Sequence, residues 1–462
     1  MEPEYLTFNG VNGETGEYQR APIRLDRLAA RRRRRRWRWV VAGVDARNLA
    51  EAGWGVIFDP GVPSDVRDAL RGLLEYRRDQ SAGGDGARYK ELRYEPGETA
   101  AAFLARHGLR FGPADPEKVP YYLLIVGGPE EIPYEFQYQL DVQYAVGRLW
   151  FDTPEEYAAY ARSVIAAEMR PAPASRPVVF FAPRHPDDGM TRLSAEQLVR
   201  PLAEKLSGKV NGWTVEALLG EEAGKERLGR LLGGNETPAL LFTAGHGVCF
   251  LEDDERQREL QGALLCQEWP GPRAREISEE HYFSACDVPA GARLQGLVSF
   301  HFACYSAGTP RWDSFAHLET GKAKSIAPHA FIARLPQRLL GHPGGGALAV
   351  IGHVDQAWPC SFLWEDTGAQ IQTFASTLTN LMSGHPVGAA MEYFGQRYAE
   401  IATELTARLQ PVGGGRRDGL DLLKLWLANN DARSYVILGD PAVRLPSPPD
   451  RRSSTQSDNP SR

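Results

Sequence analysis

Short apolar runs that alternate with amphipathic helical stretches constrain the fold of this 462-residue chain more than any other feature. The runs are WGVIFD, VPYYLLIVGG, VVFFAP, WTVEALL, PALLFTAGHG, LQGLVSFHFACYSAG and GGGALAVIGH. Between them, SDVRDALRGLLEYRRD places leucines on one helical face, and Ser194 with Gln197 predicts a capping box that opens another helix. This alternation predicts an α/β protein with a doubly wound, mostly parallel sheet. The last run, YVILGDPAVRL, is predicted to be an edge strand and turn.

Composition shifts along the chain predict four parts. Residues 1–48 are a polar arm, and residues 49–170 are a smaller α/β lobe. The segment PAPASRP is typical of a linker, and residues 176–446 follow it as a second α/β domain. Residues 447–462 are predicted to be disordered. Because 42% of the residues are hydrophobic, each folded part has material for a buried core.

The charge distribution limits the class of partner. A formal net charge of −6 argues against a protein whose whole surface binds nucleic acid. The arginine run Arg31–Arg36, followed by Trp37 and Trp39, has two interpretations: a solvated arm, or a local site for a nucleic acid or another anionic surface.

Cysteine usage and apolar run lengths predict the compartment. The five cysteines contain no C-x-x-C pair, so they suggest neither a disulfide framework nor a thiolate zinc site, and a reducing compartment is the simpler inference. The first residues, MEPEYLTFNG, lack an apolar signal core, and no window has the apolar length that a transmembrane helix needs. We therefore expect a cytoplasmic protein without a transmembrane segment.

Two strand ends carry the residue types of a nucleophilic site. His246 lies between Gly245 and Gly247, and Cys304 follows an apolar run 58 positions later. If the two strands are neighbours, their carboxyl ends bring the imidazole and the thiol together across a shallow cleft. Histidine can take the proton of a cysteine thiol and make it a nucleophile. The amides of Gly247 and Cys304 are the predicted oxyanion-hole donors.

The alternative for each residue alone is structural: an inert buried thiol, and a histidine that hydrogen-bonds within a turn. Their joint position at two strand ends favours catalysis. The order of histidine before cysteine excludes papain-like proteases and glutamine amidotransferases, which place their cysteine first. The chain has no H-E-x-x-H, Walker A or G-x-G-x-x-G motif, so no metal, nucleotide or other cofactor is predicted.

The elements TAGHG, FxACYSAGTP and VILGDP resemble the caspase-like clan of cysteine peptidases, most closely its bacterial CHAT and gingipain-like branches. The resemblance covers roughly residues 176–446. It implies a caspase-like three-layer sandwich, a His246/Cys304 dyad, and cleavage of a protein or peptide substrate through an acyl-enzyme thioester. The lobe before it resembles the non-catalytic subdomain of gingipain-like enzymes. Relatives in CHAT systems are often regulated defence or cell-death effectors, which cut a partner such as a gasdermin after activation by another protein or ligand.

Substrate specificity is where the chain departs from these relatives. Metacaspase and clostripain types carry an acidic residue close before the cysteine for a basic P1 side chain, but here His301, Phe302 and Ala303 precede it. The candidate substrate-binding residues are therefore on other loops: Asp187, Asp188, Asp313, Asp355 and Trp358. Asp355 with Trp358 is favoured, because that loop follows the strand expected beside the cysteine strand. Which acid, if any, orients His246 stays open.

His301 and His353 each have an interpretation of their own, and two other functions fit the same sequence. His301 is expected to be a packed, hydrogen-bonded core histidine, whereas His353, at a strand end, fits a structural role as well as substrate contact. A catalytically silent scaffold with the same fold is one alternative function. The other is a nucleic-acid-sensing adaptor that uses Arg31–Arg36, for which binding to DNA or RNA would fall steeply with salt.

Overall fold

The computed structural model describes residues 5–6, 23–24, 40–81, 87–170, 176–185, 187–234, 236–273, 277–315, 323–364, 367–409 and 419–446. The Arg31–Arg36 run and the tail 447–462 lie outside these residues, so the predictions made for them stay predictions. Within the described ranges, no helix is long and apolar enough to cross a bilayer.

Ten strands form one central sheet. They are β1 (Trp54–Phe58), β2 (Tyr89–Arg93), β3 (Tyr122–Val126), β4 (Ala145–Leu149), β5 (Arg176–Ala182), β6 (Trp213–Leu219), β7 (Leu240–Ala244), β8 (Val298–Phe302), β9 (Ala349–His353) and β10 (Tyr435–Gly439). Their order across the sheet is β2-β1-β3-β4-β10-β9-β8-β7-β5-β6. Every pair is parallel except β9 with β10.

The sheet therefore consists of two five-stranded parallel blocks that meet at one antiparallel pair. β10 supplies the junction: Ile437 pairs with Gly147 of β4 on one side and with Ile351 of β9 on the other. The prediction of an edge strand at YVILGDP is wrong, because all five residues of β10 are buried between two neighbours. A continuous apolar run is typical of such a doubly covered strand. The sheet thus crosses the boundary predicted between residues 49–170 and 176–446, and that domain division stays a prediction.

Helices flank the sheet. They are α1 (Leu49–Ala52), α2 (Ser64–Ser81), α3 (Ala100–Arg106), α4 (Tyr134–Leu140), α5 (Pro154–Glu168), α6 (Gly189–Leu193), α7 (Arg200–Leu206), α8 (Lys225–Leu231), α9 (Gln257–Leu260), α10 (Arg334–Leu340), α11 (Gln372–Met382), α12 (Val387–Ala390), α13 (Glu392–Leu409) and α14 (Gly419–Arg433). Strands β1, β3, β4 and β7 to β10 are buried at every residue, which requires cover on both faces. The predicted α/β sandwich with a mostly parallel sheet is confirmed.

The turn after β10 is tied to the first block by buried charges. Asp440 accepts a hydrogen bond of 2.9 Å from Trp54 Nε1 and pairs at 2.6 Å with Arg77 Nε. Arg77 also pairs at 2.7 Å with Glu168, and burial with these two carboxylates leaves the guanidinium fully compensated. The aspartate of the VILGDP element therefore has a structural role, since it fixes the last strand to α2 and β1.

Candidate active site

The strands that carry His246 and Cys304 are neighbours. β7 and β8 pair in parallel with Ala244 opposite Phe302, and Gly245 N extends the ladder by donating to Phe302 O at 3.1 Å. His246 and Cys304 are each the second residue after this matched pair. The prediction that the two strand ends share one edge of the sheet is confirmed.

A glycine is required between the two strand ends. A Cβ at Gly247 would overlap the carbonyl oxygen of Cys304 and would lie 3.2 Å from Cys304 N. Neither the Gly247 amide nor the Cys304 amide donates a hydrogen bond to any other part of the chain that the structure describes. Backbone amides rarely stay unpaired away from water, so these two N–H groups are suited to donate hydrogen bonds to a negatively charged oxygen of a ligand.

His246 has a carboxylate partner. Its Nε2 lies 2.9 Å from Oδ2 of Asp188, whose side chain is 9% exposed. Asp188 also caps α6, because it accepts hydrogen bonds from Met190 N at 3.0 Å and from Thr191 Oγ1 at 2.7 Å. Burial alone would raise the pKa of Asp188, but the hydrogen bonds from His246 and Thr191 overcome it and hold the pKa well below its ordinary value. Asp188 is therefore an anion that faces the imidazole.

The Asp188 contact decides the tautomer of His246. An ionised carboxylate only accepts hydrogen bonds, so Nε2 carries the hydrogen and Nδ1 of the neutral ring keeps its lone pair. The edge of Trp269, with ring centroids 5.8 Å apart, packs against the same imidazole. His246 is thus oriented by two contacts, and Nδ1 is left to accept a proton. Asp188 faces the histidine instead of a substrate pocket, which was its predicted place.

The thiol of Cys304 lies against the loop that follows β9. Ala357 N donates to Cys304 Sγ at 3.4 Å, and Sγ lies 3.8 Å from Ala357 O. No hydrogen bond joins the thiol to His246 among the described residues. Burial raises the pKa of Cys304 to about 11, against the opposing effect of the Ala357 amide, and the nearby Asp355 carboxylate adds to the rise. At neutral pH the Cys304 side chain is therefore a neutral thiol.

Asp431, on α14, fixes the loop that follows β9 by hydrogen bonds to its backbone and side chains. Its Oδ1 accepts from Trp358 N at 2.9 Å, and its Oδ2 accepts from Ser361 Oγ at 2.5 Å. The carboxylate is fully buried, and Arg397 Nη1 and His353 Nε2 lie 3.6 and 3.4 Å away. Asp431 therefore holds the segment that places the Ala357 amide on the sulfur, although it does not touch Cys304 itself.

Backbone strain is concentrated in the loops that follow β5, β8 and β9. Three non-glycine residues of the described chain have positive φ: Asp187 at 60°, Tyr305 at 57° and Asp355 at 81°. They are adjacent to Asp188, to Cys304 and to the loop that contacts the thiol. Such conformations cost about 1 to 3 kcal/mol each and persist where a functional geometry requires them.

The remaining predicted substrate-binding residues do not form one pocket. The strand before Asp355 does lie beside the cysteine strand, as predicted, because β9 pairs with β8. Asp355 itself is 1% exposed and accepts the amides of Gln356 at 2.8 Å and Ser314 at 3.2 Å. Burial raises the pKa of Asp355 to about 6. Its carboxylate therefore holds loops together and does not open to a substrate.

The other candidates lie around this loop. Trp358 packs against Phe315 in a tilted arrangement with ring centroids 5.5 Å apart, and its indole Nε1 is buried without an acceptor among the described residues. Asp313 accepts the Phe315 amide at 2.7 Å as a turn cap. Asp187 is exposed and pairs with Arg273 at 3.3 Å. Trp358 is the one candidate that leaves a polar group free near the thiol.

Both further histidines are structural. His301 is buried, with Thr243 Oγ1 at 2.9 Å from Nδ1 and Ser299 Oγ at 3.1 Å from Nε2, as expected of a core histidine. His353 is also buried, and its Nε2 lies 3.0 Å from Asp431 O. Neither ring has a hydrogen bond to His246 or Cys304 in the described part of the chain.

The raised thiol pKa predicts how Cys304 reacts with iodoacetamide. Because only the thiolate reacts, the alkylation rate is expected to rise about tenfold per pH unit, and therefore about 100-fold between pH 7 and pH 9. Mass spectrometry of the Cys304 peptide would measure this rate, and the same slope is expected in His246→Ala. A rate that is constant between pH 6 and pH 8 would contradict the neutral thiol and indicate a thiolate–imidazolium pair.

His301 predicts a pH dependence of stability. Burial lowers the pKa of His301 to about 3, so below pH 6.5 the unfolded chain binds a proton that the folded chain does not, and stability falls as the pH falls. Between pH 7 and pH 5 this loss amounts to about 2 kcal/mol. Urea unfolding of wild type and His301→Gln at both pH values would measure it. An unchanged difference between the two proteins at pH 7 and pH 5 would contradict the assignment.

Asp188 and Asp431 are the residues whose roles the sequence did not predict. The clue for Asp188 was local: it stands before α6 as an N-cap residue, whereas the predicted capping box at Ser194 lies inside a continuous helical stretch and is wrong. The stretch Ser194–Val199 is a π-helical turn between α6 and α7. No sequence feature pointed to Asp431, because its pattern is that of an ordinary polar residue in a C-terminal helix.

No protein-family model matches the chain, and no curated protein matches it significantly in sequence. Solved structures match it in fold. One, titled as the structure of a protease, aligns with a TM-score of 0.51 and 12% identity over 87% of this chain and 80% of that one. The Arg-specific cysteine proteinase gingipain R aligns with a TM-score of 0.46 and 12% identity, over 85% of this chain and 78% of that one. The complex of the pro- and mature domains of RgpB from Porphyromonas gingivalis gives 0.48 and 12%, over 85% and 80%.

Proposed function

We propose that the protein is a cysteine endopeptidase in which Cys304 is the nucleophile and His246 its base, oriented by Asp188. One observation carries the proposal: a histidine fixed by a buried carboxylate stands at the same level of the sheet edge as a cysteine, on the adjacent parallel strand. Triads of nucleophile, base and orienting acid are recognised by this geometry and these roles. The fold likeness to a solved protease structure agrees with the proposal.

The proposed reaction begins from the neutral thiol. As Cys304 Sγ attacks the carbonyl carbon of the scissile peptide bond, the thiol proton passes to Nδ1 of His246, and Asp188 stabilises the imidazolium that forms. The carbonyl oxygen becomes an oxyanion that the Gly247 and Cys304 amides bind. The tetrahedral intermediate collapses to a thioester as the C–N bond breaks, and the imidazolium gives its proton to the leaving amine. Water, deprotonated by His246, then hydrolyses the thioester.

The biological setting is a finer proposal that is supported by the sequence motifs alone. Their resemblance to the CHAT branch suggests a regulated bacterial defence or cell-death effector that cuts a partner such as a gasdermin after activation. The free state of all five cysteines agrees with a reducing, cytoplasmic setting. Incubation of the protein with candidate gasdermins, with and without candidate activators, would test this proposal separately from the chemistry.

Cleavage of a mixed-sequence peptide library tests the reaction. The wild-type protein is expected to cut, and Cys304→Ala and His246→Ala are expected to leave no product above background. Mass spectrometry of the product termini would give the P1 preference at the same time. Cysteine 249 offers a matched control: Cys249→Ala removes an exposed thiol two residues after Gly247 and is expected to keep the activity.

The neutral thiol, which contacts Ala357 and not His246, favours one alternative: a catalytically silent scaffold that uses the same cleft for binding. A library left intact by wild type in the presence of candidate activators, with retained binding of a partner by Cys304→Ala, would support the scaffold and contradict the peptidase.

A further inference from the structure

Arg176 is a buried cation with no carboxylate partner among the described residues. It is the first residue of β5 and is 1% exposed. No carboxylate lies within ion-pair distance of its guanidinium in the part of the chain that the structure describes. Arginine stays charged at any physiological pH, so an isolated guanidinium out of water costs free energy unless oxygen acceptors or an anion surround it.

A second buried arginine shows how hydrogen bonds satisfy a buried guanidinium in this protein. Arg148 also lacks a carboxylate among its hydrogen-bond partners, but its Nε donates to Gln137 Oε1 at 2.9 Å, and its Nη1 to Gly127 O at 3.0 Å. Arg176 is less well satisfied. Its Nη1 donates to Pro446 O, its guanidinium stacks over Trp213 at 4.3 Å, and its Nε is buried with no acceptor in the described chain. Within the described residues, Pro446 O is thus the one oxygen that accepts a hydrogen bond from this guanidinium, which has five N–H donors.

Arg176 lines a cavity of about 370 Å³. The wall is mainly apolar and small: Ala167, Pro177, Pro238, Ala239 and Pro446 line it. Arg170 and Gln295 stand at the exposed rim. The cavity lies at the amino ends of β5, β7 and β8, because its lining residues precede or begin these strands.

We propose that this cavity binds a small amphipathic carboxylate. The carboxylate would accept the free N–H donors of Arg176, whose fork matches its two oxygens, and an aliphatic body would lie against the proline and alanine wall. The guanidinium also lies over Trp213, with Cζ 4.3 Å from the ring centroid. The ligand would thereby supply an anion that the described residues do not.

This site is independent of the proposed peptidase. β7 and β8 carry His246 and Cys304 at their carboxyl ends and border the cavity at their amino ends, and a five-residue strand spans about 17 Å. The ligand and a peptide substrate would therefore bind at opposite ends of the same strands. Binding is expected to be the same in Cys304→Ala as in wild type, so a failure of the peptidase proposal would leave this test unaffected.

Isothermal titration calorimetry with octanoate tests the proposal. Two comparison probes separate the parts of the ligand: 1-octanol has the aliphatic chain without the carboxylate, and inorganic phosphate has negative charge without the chain. Octanoate is expected to bind wild type at least about tenfold more tightly than either probe, because only octanoate offers both a carboxylate and an aliphatic body. Arg176→Gln is expected to weaken octanoate at least about tenfold, whereas Arg170→Gln, at the exposed rim, should change it less than about threefold.

A second variant keeps the test valid if Arg176→Gln does not fold. Gln295→Trp narrows the exposed rim without touching the guanidinium, and it is expected to weaken octanoate to a similar degree. Equal binding of octanol and octanoate, or unchanged binding in both variants, would overturn the proposal. So would binding that occurs only after residues 447–462 are removed, since the occupant would then be the chain's own tail, which contains Asp450.

Discussion

Asp188→Asn is expected to lower kcat/KM for a cleaved peptide at pH 7 by about 1,000- to 10,000-fold, with little change in stability. The amide can donate to Nε2 of His246 and stabilise the tautomer in which Nδ1 carries the hydrogen. The ring then offers no lone pair to the Cys304 thiol, and the imidazolium loses its anionic partner. Because asparagine is as good an N-cap as aspartate, α6 should be preserved.

The neighbouring residue provides the control for this variant. Asp187→Asn removes the same charge one position earlier, where the side chain is 54% exposed and its ion pair among the described residues is with Arg273. Its kcat/KM is expected to stay within about threefold of wild type, because exposed pairs contribute little. Equal losses in the two variants would contradict an orienting role for Asp188 and point to a general effect of loop charge.

Gly247→Ala is expected to destabilise the protein by about 2 to 4 kcal/mol and to lower kcat/KM at least about 100-fold. The added methyl group would occupy the position of the Cys304 carbonyl, and the backbone of a buried strand end cannot move away freely. The ends of β7 and β8 would separate, and the unpaired amides of Gly247 and Cys304 would move apart. Thermal unfolding and peptide cleavage measure the two effects.

Gly245→Ala is the matched control on the other side of His246. A Cβ there meets only the Pro183 side chain at 3.3 and 3.5 Å and Leu265 O at 4.0 Å, so a small shift accommodates it. We expect it to cost less than about 1 kcal/mol and to retain most of the activity. If Gly247→Ala were as stable and as active as Gly245→Ala, the close approach of the two strand ends would have no part in catalysis.

The strands of the site were predictable from sequence because each is a continuous apolar run that ends in small residues. That pattern located His246 and Cys304 and made their adjacency a reasonable expectation. It did not give the order of strands across the sheet. β5 lies next to β7, so the loop after β5 reaches the same edge and brings Asp188 to His246 from 58 residues away. A one-dimensional pattern contains no such information.

The burial of individual side chains and strands was the second feature that could not be predicted from the sequence. Asp355 was a reasonable substrate contact by position, since its strand does pair with the cysteine strand, yet its carboxylate is enclosed by the amides of Gln356 and Ser314. The edge-strand prediction for YVILG failed for a related reason. Its uninterrupted apolar character was the signal for a central strand, but its place at the end of the folded sequence suggested a margin of the sheet.

The central position of β10 has a consequence for protein synthesis. Residues 435–439 leave the ribosome after all nine of the other strands of the sheet. Until then, β4 and β9 each have an unpaired edge where β10 will lie. Asp431, which steadies the loop on the Cys304 thiol, leaves the ribosome only four residues earlier than Tyr435. A nascent or prematurely terminated chain therefore contains Cys304 and His246 without the loop support that Asp431 provides. In the proposed peptidase, the nucleophile and its base would be aligned only after translation reaches the end of the fold.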